Sequence, residues 1–321
     1  MRIGIVGAGM AGLACAEELT SLGHHVRLFD KGRGPGGRMS TRCIPTSAGE
    51  AYFDHGAQYF TVRDDAFQRK VAAWISEGAA APWPPAGSDA YVGVPAMNAP
   101  VRLMANGQSV DWETLVKRIE ELGRGWRLVL DRGAAVDVDM AIVATPAEQA
   151  SDLLASVAPN LAARARAAAS EPCWTVMLAF FEAVAVAQNC WRGEDIIGWA
   201  ARNSSKPGRI GPESWVVQAS PVWSRLHVEA DPEWVTATLK GALSKMLATP
   251  LPPVAGESCH RWRFARSGAD GSGALFDRNR HVGLCGDWLI GPRVEAAWLS
   301  GKALAEQIGV DEGDNPAKHA P

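Results

Sequence analysis

The chain has 321 residues, 47% of them hydrophobic and 21% charged, the composition of a soluble globular protein with a substantial core in one large or two ordinary domains. Its formal net charge of -3 gives no basis for a nucleic-acid or anionic-membrane partner, and no apolar run approaches the length of a membrane span. Six cysteines (Cys15, Cys43, Cys173, Cys190, Cys259 and Cys285) lack CxxC or metal-ligand spacing, and the seven histidines form no zinc-like cluster, so reduced thiols and no metal are expected.

A short apolar run rich in Ile and Val, residues 2–6, suits a strand buried on both faces. A strand so early leaves no room for a signal peptide, and a cytoplasmic location is the expectation. Gly7, Gly9 and Gly12 follow at once: the first for the tight turn, the second for close approach of a pyrophosphate, the third for packing of helix on sheet. The helix is expected over residues 10–22, stopped by Gly23, with its positive end toward the phosphates. A second strand, 26–29, ends in Asp30, placed to accept hydrogen bonds from both hydroxyls of an adenosine ribose. An acid there favours a ribose without a 2′-phosphate, hence an NAD-like nucleotide or FAD. Gly34, Gly36, Gly37 and Arg38 then form a second phosphate-facing loop suited to an extended diphosphate, which favours FAD.

The stretch DHGAQYFT, residues 54–61, either packs Tyr and Phe into a core or passes near a flavin with Gln58 and Tyr59 facing the substrate. Asp64 reads as the N-cap of a helix over 65–76, with Phe67, Val71, Trp74 and Ile75 at helical spacing. Residues 79–100, rich in Ala, Pro and Gly, read as a loop. Residues 110–130 fit either a helix or strands. Residues 139–146, DMAIVATP, form an apolar strand with a proline stop.

Between about 147 and 265 the character changes, with seven of the thirteen tryptophans, strand-like runs at 175–181 and 215–219, and a helix expected over 232–247. Most of these tryptophans are expected in a core. The turn ARNSSKPGR carries Arg202, Lys206 and Arg209, either as a solvated loop or as a holder of a phosphate-bearing substrate. Finally a strand over 281–285 ends in Gly286 and Asp287, where a carboxylate could bind a polyol such as the flavin ribityl chain. A helix then starts near Val294 with its N–H groups aimed at the flavin N1 and C2 carbonyl.

The order GAGMAG, Asp30, GGRMST, DHGAQYFT, IVATP, ARNSSKPGR and CGDWLIGPRVEAAWLSG resembles bacterial renalase-like FAD-dependent oxidoreductases of the flavin amine oxidase superfamily. The resemblance covers nearly the whole chain. It implies an α/β fold with a discontinuous Rossmann-like FAD-binding domain (1–62, 101–146 and 266–321) and a mixed-sheet α+β substrate domain (63–100 and 147–265). It favours strands over 110–130. It implies noncovalent FAD held by Gly7, Gly9, Gly12, Asp30, Gly36, Gly37, Arg38, Gly286, Asp287 and Val294, with Val116 meeting the adenine through its backbone. Met10, Ala11, Lys31, Met39, Ala144 and Arg293 complete the expected set of contacts. Gln218 is a departure, since related sequences carry His at that position.

The activity implied is oxidation of misreduced dihydronicotinamides, the 2- and 6-dihydro isomers of NAD(P)H, to NAD(P)+, with oxygen as second substrate and hydrogen peroxide as product. Hydride transfer to flavin N5 needs no general base; positioning and electrostatic support supply most of the rate. The expected substrate-facing residues are Gln58, Tyr59, Asn203, Trp223 and Trp288. The competing readings are an amine oxidase, which needs a neutral amine and an aromatic cage, and a flavin-binding protein without turnover.

Overall fold

The computed structural model describes residues 1–131 and 133–313. The chain divides into two compact units, one of residues 1–37, 101–170 and 267 onward, the other of residues 38–100 and 171–266.

The first unit is built on a six-stranded sheet in the order Leu275–Asp277, Val282–Leu284, Met140–Val143, Arg2–Val6, His25–Phe29 and Val110–Asp111. All pairings are parallel except that of the edge strand Leu275–Asp277. The parallel centre needs cover on both faces, which is why Met140–Val143 is buried at every position. On one face the helices Met10–Ser21 and Val294–Gly313 lie against each other so closely that a Cβ at Gly301 would come 2.1 Å from the Ala11 carbonyl oxygen. Gly23, at φ 85°, ends the first of these helices in a conformation that glycine adopts without strain. On the other face a core forms around Trp126, Leu128, Val143, Ala150, Leu154 and Trp288. The strands Val116–Glu121, Trp126–Leu130 and Ala135–Val138 form a three-stranded antiparallel sheet, the strand alternative for 110–130.

The second unit has a five-stranded sheet in the order Cys190–Arg192, Ile197–Arg202, Glu213–Ala219, Ser170–Phe180 and Val254–Ser267. Alternation sorts its two faces. Val176, Leu178, Phe180, Trp215 and Val217 pack against Val235, Leu239 and Leu243 of the helix Pro232–Leu247. Met177, Ala179 and Val216 turn the other way, onto Ala51 and Phe53 of a two-stranded ribbon, Thr41–Thr46 with Gly49–Asp54. The helix Asp65–Ser76 starts as expected, the Asp64 carboxylate accepting from the N–H groups of Ala66 and Phe67.

Three differences from the sequence reading have simple causes. Residues 38–62 belong with the second unit, because the ribbon buries Ala51 and Phe53 against its sheet. Residues 147–170 belong with the first, because two alanine-faced helices, Ala147–Leu154 and Pro159–Ala167, pack Ala150, Ala162 and Ala165 into its core. The stretch 79–100 is no plain loop: Ala80–Pro82 and Ala90–Gly93 pair as strands, and Trp83 is buried between them in the chain. Among the described residues no helix is long and apolar enough to cross a membrane.

Candidate nucleotide and substrate sites

In the first unit the strand Arg2–Val6 delivers the chain into a turn at Gly7, whose φ of 105° is open to glycine. A Cβ at Gly12 would sit 2.0 Å from the Gly7 carbonyl oxygen, so this glycine is required by turn and helix packing. Gly9 differs: a Cβ there would meet nothing within 4 Å. It is the N-cap of the helix and no side chain caps it. The first intrahelical bond runs from the Leu13 N–H to the Gly9 carbonyl at 3.0 Å. The N–H groups of Met10, Ala11 and Gly12 therefore remain available to an anion while the Met10 and Ala11 side chains are buried.

Asp30 stands at the end of the second strand with one carboxylate oxygen 2.8 Å from the Ala8 N–H and the other 2.7 Å from the Gly32 N–H. Each oxygen keeps a lone pair for a ribose hydroxyl. The segment leading to Val116 is fixed beside it, with the Thr114 N–H donating to the Asp30 carbonyl at 2.8 Å and the Glu113 N–H to the Gly32 carbonyl at 2.9 Å. Val116 pairs with Leu130 and is buried, so what it offers a purine is backbone. Lys31 is exposed and its Nζ bonds the Gln149 side chain at 3.1 Å. Gly36 and Gly37 both have positive φ, 146° and 52°, and open the short turn Gly37–Met39 that carries Arg38; Met39 is buried. Ala144 donates its N–H to the Val6 carbonyl at 2.8 Å, which sets the IVATP segment against Gly7.

At the carboxyl end of the sheet the Gly286 N–H is bonded to the Ser300 hydroxyl at 2.9 Å, and the buried Asp287 carboxylate accepts from Ser267 at 3.1 Å. A Cβ at Gly286 would strike the Trp288 ring at 2.7 Å. Arg293 is exposed, and the Ala297 N–H to Arg293 carbonyl bond begins the helix Val294–Gly313, leaving its first N–H groups outward. The open cradle at Gly9, the half-satisfied Asp30 and this second helix start have the chemistry an adenine dinucleotide would need.

Trp288 corrects one expectation. It is fully buried in the first unit's core with its indole N–H on the Thr145 carbonyl at 3.3 Å, a packing residue and not a substrate contact.

In the second unit, DHGAQYFT and ARNSSKPGR come together around Asp54, which the sequence reading did not single out. This fully buried carboxylate accepts from Lys206 Nζ at 3.0 Å, Arg209 Nη2 at 2.6 Å, the Thr41 hydroxyl at 2.7 Å and the Met97 N–H at 3.2 Å. Burial pushes its pKa up, but Lys206 and Arg209 outweigh this and hold it at about 2. Burial, helped by the neighbouring Arg209, outweighs the attraction of Asp54 and draws Lys206 down to about 8. Arg202 meanwhile pairs with Glu213 at 3.0 Å. The three cations are thus internal braces, neither a solvated loop nor a phosphate holder. An acid closing the apolar strand before His55, in a chain with three cations clustered elsewhere, was the available signal.

Gln58 and Asn203 join this brace. The Gln58 amide donates to the Asp54 and Gly56 carbonyls and accepts from Lys206; Asn203, with no exposed surface, spans the Tyr52 carbonyl at 2.7 Å and the Asp54 N–H at 3.3 Å. They shape the DHGAQYFT loop. Tyr59 is half-buried, its ring 5.3 Å from that of Trp199, and its hydroxyl accepts from Arg192 at 2.6 Å. Gln218 reaches the same loop, donating to the Gly56 carbonyl at 2.8 Å. His55 stacks on Trp262 at 5.1 Å, and burial holds its pKa down at about 4, so it is neutral at pH 7. Trp223 lies elsewhere, stacked on Trp234 at 5.7 Å beside His227, and is not gathered with Gln58 and Tyr59.

The first unit therefore has a Rossmann-like fold, and residues 5–74 match the family model of the NAD(P)-binding Rossmann-like domain. The wider resemblance holds as well. The chain is similar to renalase of Mus musculus, 25% identical over 298 residues that cover 83% of this chain and 85% of that protein. A 4,4'-diapophytoene desaturase of Staphylococcus aureus is 48% identical over 40 residues, 12% of this chain and 8% of that protein. Two solved structures share the fold, each at 13% identity over 97% of this chain and 99% of the other. One is cyclohexylamine oxidase from Brevibacterium oxydans, with a TM-score of 0.71; the other is a protein provisionally assigned as a protoporphyrinogen oxidase from Exiguobacterium, at 0.70.

Proposed function

We propose that this protein is an FAD-dependent oxidase that takes a hydride from misreduced dihydronicotinamides, the 2- or 6-dihydro isomers of NAD(P)H, and yields NAD(P)+ and hydrogen peroxide. The observation that carries the reading is the open, uncapped helix start at Gly9 facing the half-satisfied Asp30, joined to a likeness to renalase along most of the chain. FAD supplies a two-electron acceptor that reacts onward with oxygen. The N–H groups of Met10 to Gly12 would hold its diphosphate, Asp30 its adenosine ribose, the Val116 backbone its adenine, and Asp287 its ribityl chain, without a covalent link.

The substrate loses hydride from C2 or C6 and becomes the aromatic nicotinamide cation, while oxygen with one further proton becomes hydrogen peroxide. No side chain has to remove a proton from carbon. The second unit suits that economy: Asp54 is ionised and fully engaged, and His55 is buried, so neither is poised as a general base. Anaerobic mixing tests the reading. Bleaching of bound flavin by 2- or 6-dihydronicotinamide dinucleotides is expected; bleaching only by amines would replace it with an amine oxidase, and retention of unbleached flavin with every donor would make the protein a binder without turnover.

A further inference from the structure

Directly paired residues of neighbouring antiparallel strands project from the same face of a sheet. In the second unit this places Thr175, Gln218, Trp199 and Arg192 in one row across four strands, since Thr175 pairs with Gln218, Gln218 with Trp199, and Trp199 with Arg192. The row lies on the face that carries the DHGAQYFT loop: Gln218 donates to the Gly56 carbonyl and Arg192 to the Tyr59 hydroxyl. Its chemistry is graded. Thr175 is fully buried; Trp199 is 8% exposed, and its indole N–H has no partner among the described residues; Arg192 is exposed. The Arg192 guanidinium lies 4.8 Å from the Trp199 ring centroid and 5.8 Å from that of Tyr59. Only Nη2 is engaged among the described residues, through one of its two N–H groups, so its other N–H together with Nε or Nη1 leaves one edge of the planar fork for a ligand.

We propose that this row is a substrate platform and that Arg192 is its specificity-determining residue, admitting an anionic dinucleotide and rejecting ammonium ions. This rests on the dihydronicotinamide reading above and assigns it a residue. An aromatic pair such as Tyr59 and Trp199 would by itself attract a cationic amine. Here the chain's own guanidinium already occupies that position, and a second positive charge at such a distance is repelled. The same guanidinium matches a diphosphate oxygen pair, and the buried Trp199 N–H supplies a donor for a flat amide-bearing ring beside it. Glu194 and Asp195 follow Arg192 in the hairpin turn and are exposed, so they oppose the attraction in a way that salt screens along with it.

The test uses the flavin-loaded protein under anaerobic conditions, reading bleaching against the concentration of 6-dihydro-NAD and of its phosphate-free nucleoside. The wild type is expected to bind the dinucleotide about tenfold or more tightly than the nucleoside at low salt, as one charge-assisted contact implies, and to lose part of that preference as salt rises. In Arg192→Gln the preference is expected to fall below about twofold and to lose its salt dependence, in Arg192→Lys to survive in part, and benzylamine is expected to bleach Arg192→Gln faster than wild type. Bound-flavin absorbance of each variant reports folding. A full preference in Arg192→Gln, or equal weakening of dinucleotide and nucleoside, overturns the role of Arg192 and leaves the activity standing. Failure of both to bleach the wild type overturns the activity itself and the proposal with it.

Discussion

Asp54 shows how one side chain can govern a neighbourhood. Two cations and two further donors converge on it, and removing its charge leaves Lys206 and Arg209 buried without a counterion. Asp54→Asn is expected to cost about 3–5 kcal/mol in urea unfolding, against well under half of that for breaking the exposed pair Arg118–Glu120 by Glu120→Gln. The same cluster sets a pH dependence. Asp54, held at about 2 in the fold, contributes stability that is present above its ordinary value near 4 and lost as pH falls through 2. Lys206 adds a limb of the same sign at alkaline pH, for the opposite reason: its charged form is disfavoured in the fold. Its proton is held less tightly in the fold, at about 8, than in the unfolded chain, so its share of stability grows as pH rises from 8 toward 10.5. Urea midpoints measured from pH 2 to 10.5 should show both limbs, and Lys206→Met should abolish the alkaline one; an unchanged alkaline limb would refute the assignment.

At the scale of elements, two glycines on helices that share one face of the sheet have opposite duties. Gly301 lets the helix Val294–Gly313 approach Met10–Ser21, and a Cβ there has no room against the Ala11 carbonyl. Gly301→Ala is expected to destabilise the protein by about 1–3 kcal/mol or more whether or not nucleotide is bound. Gly9 has space around it and an ordinary φ of -80°, so Gly9→Ala should leave the melting temperature of the flavin-free protein within a few degrees of wild type while sharply weakening FAD binding. Flavin fluorescence titration of the two variants separates the effects; equal FAD affinity in Gly9→Ala and wild type would show that the cradle does not hold the diphosphate. Asp30→Ala should weaken FAD by about ten- to a hundredfold, since a charged hydrogen-bond acceptor is lost.

On the scale of the whole molecule, each unit owns a separate core, one around Trp126 and Trp288, the other around Trp215 and Leu239. A cofactor held by the first unit stabilises whichever cooperative unfolding unit contains it. FAD at a hundred times its Kd is expected to add about 2.7 kcal/mol and raise the melting temperature accordingly, and a scan showing no shift at saturating FAD would contradict the assignment of the nucleotide site.

Local pattern was enough for the nucleotide half. Its signals are contiguous: strand, three glycines, helix, strand and acid follow one another, because a tight turn at Gly7 and close packing at Gly12 constrain neighbouring residues. The helix at Asp65 was legible for the same reason, its cap and apolar spacing being local, and the helix over 232–247 runs as expected. What tertiary structure alone decided is spread over both units. The 147–170 helices read as part of the tryptophan-rich stretch because nothing in an alanine face says which core it will enter. Trp288 read as substrate-facing because indole suits either a pocket or a core, and only its enclosure beside Thr145 chose. Asp54 lies 152 residues from Lys206 and 155 from Arg209 in the chain, and Tyr59 lies 133 from Arg192. The charge of each residue was plain from its type, but partnership at that separation depends on sheet register, and register is fixed by burial on both faces at once.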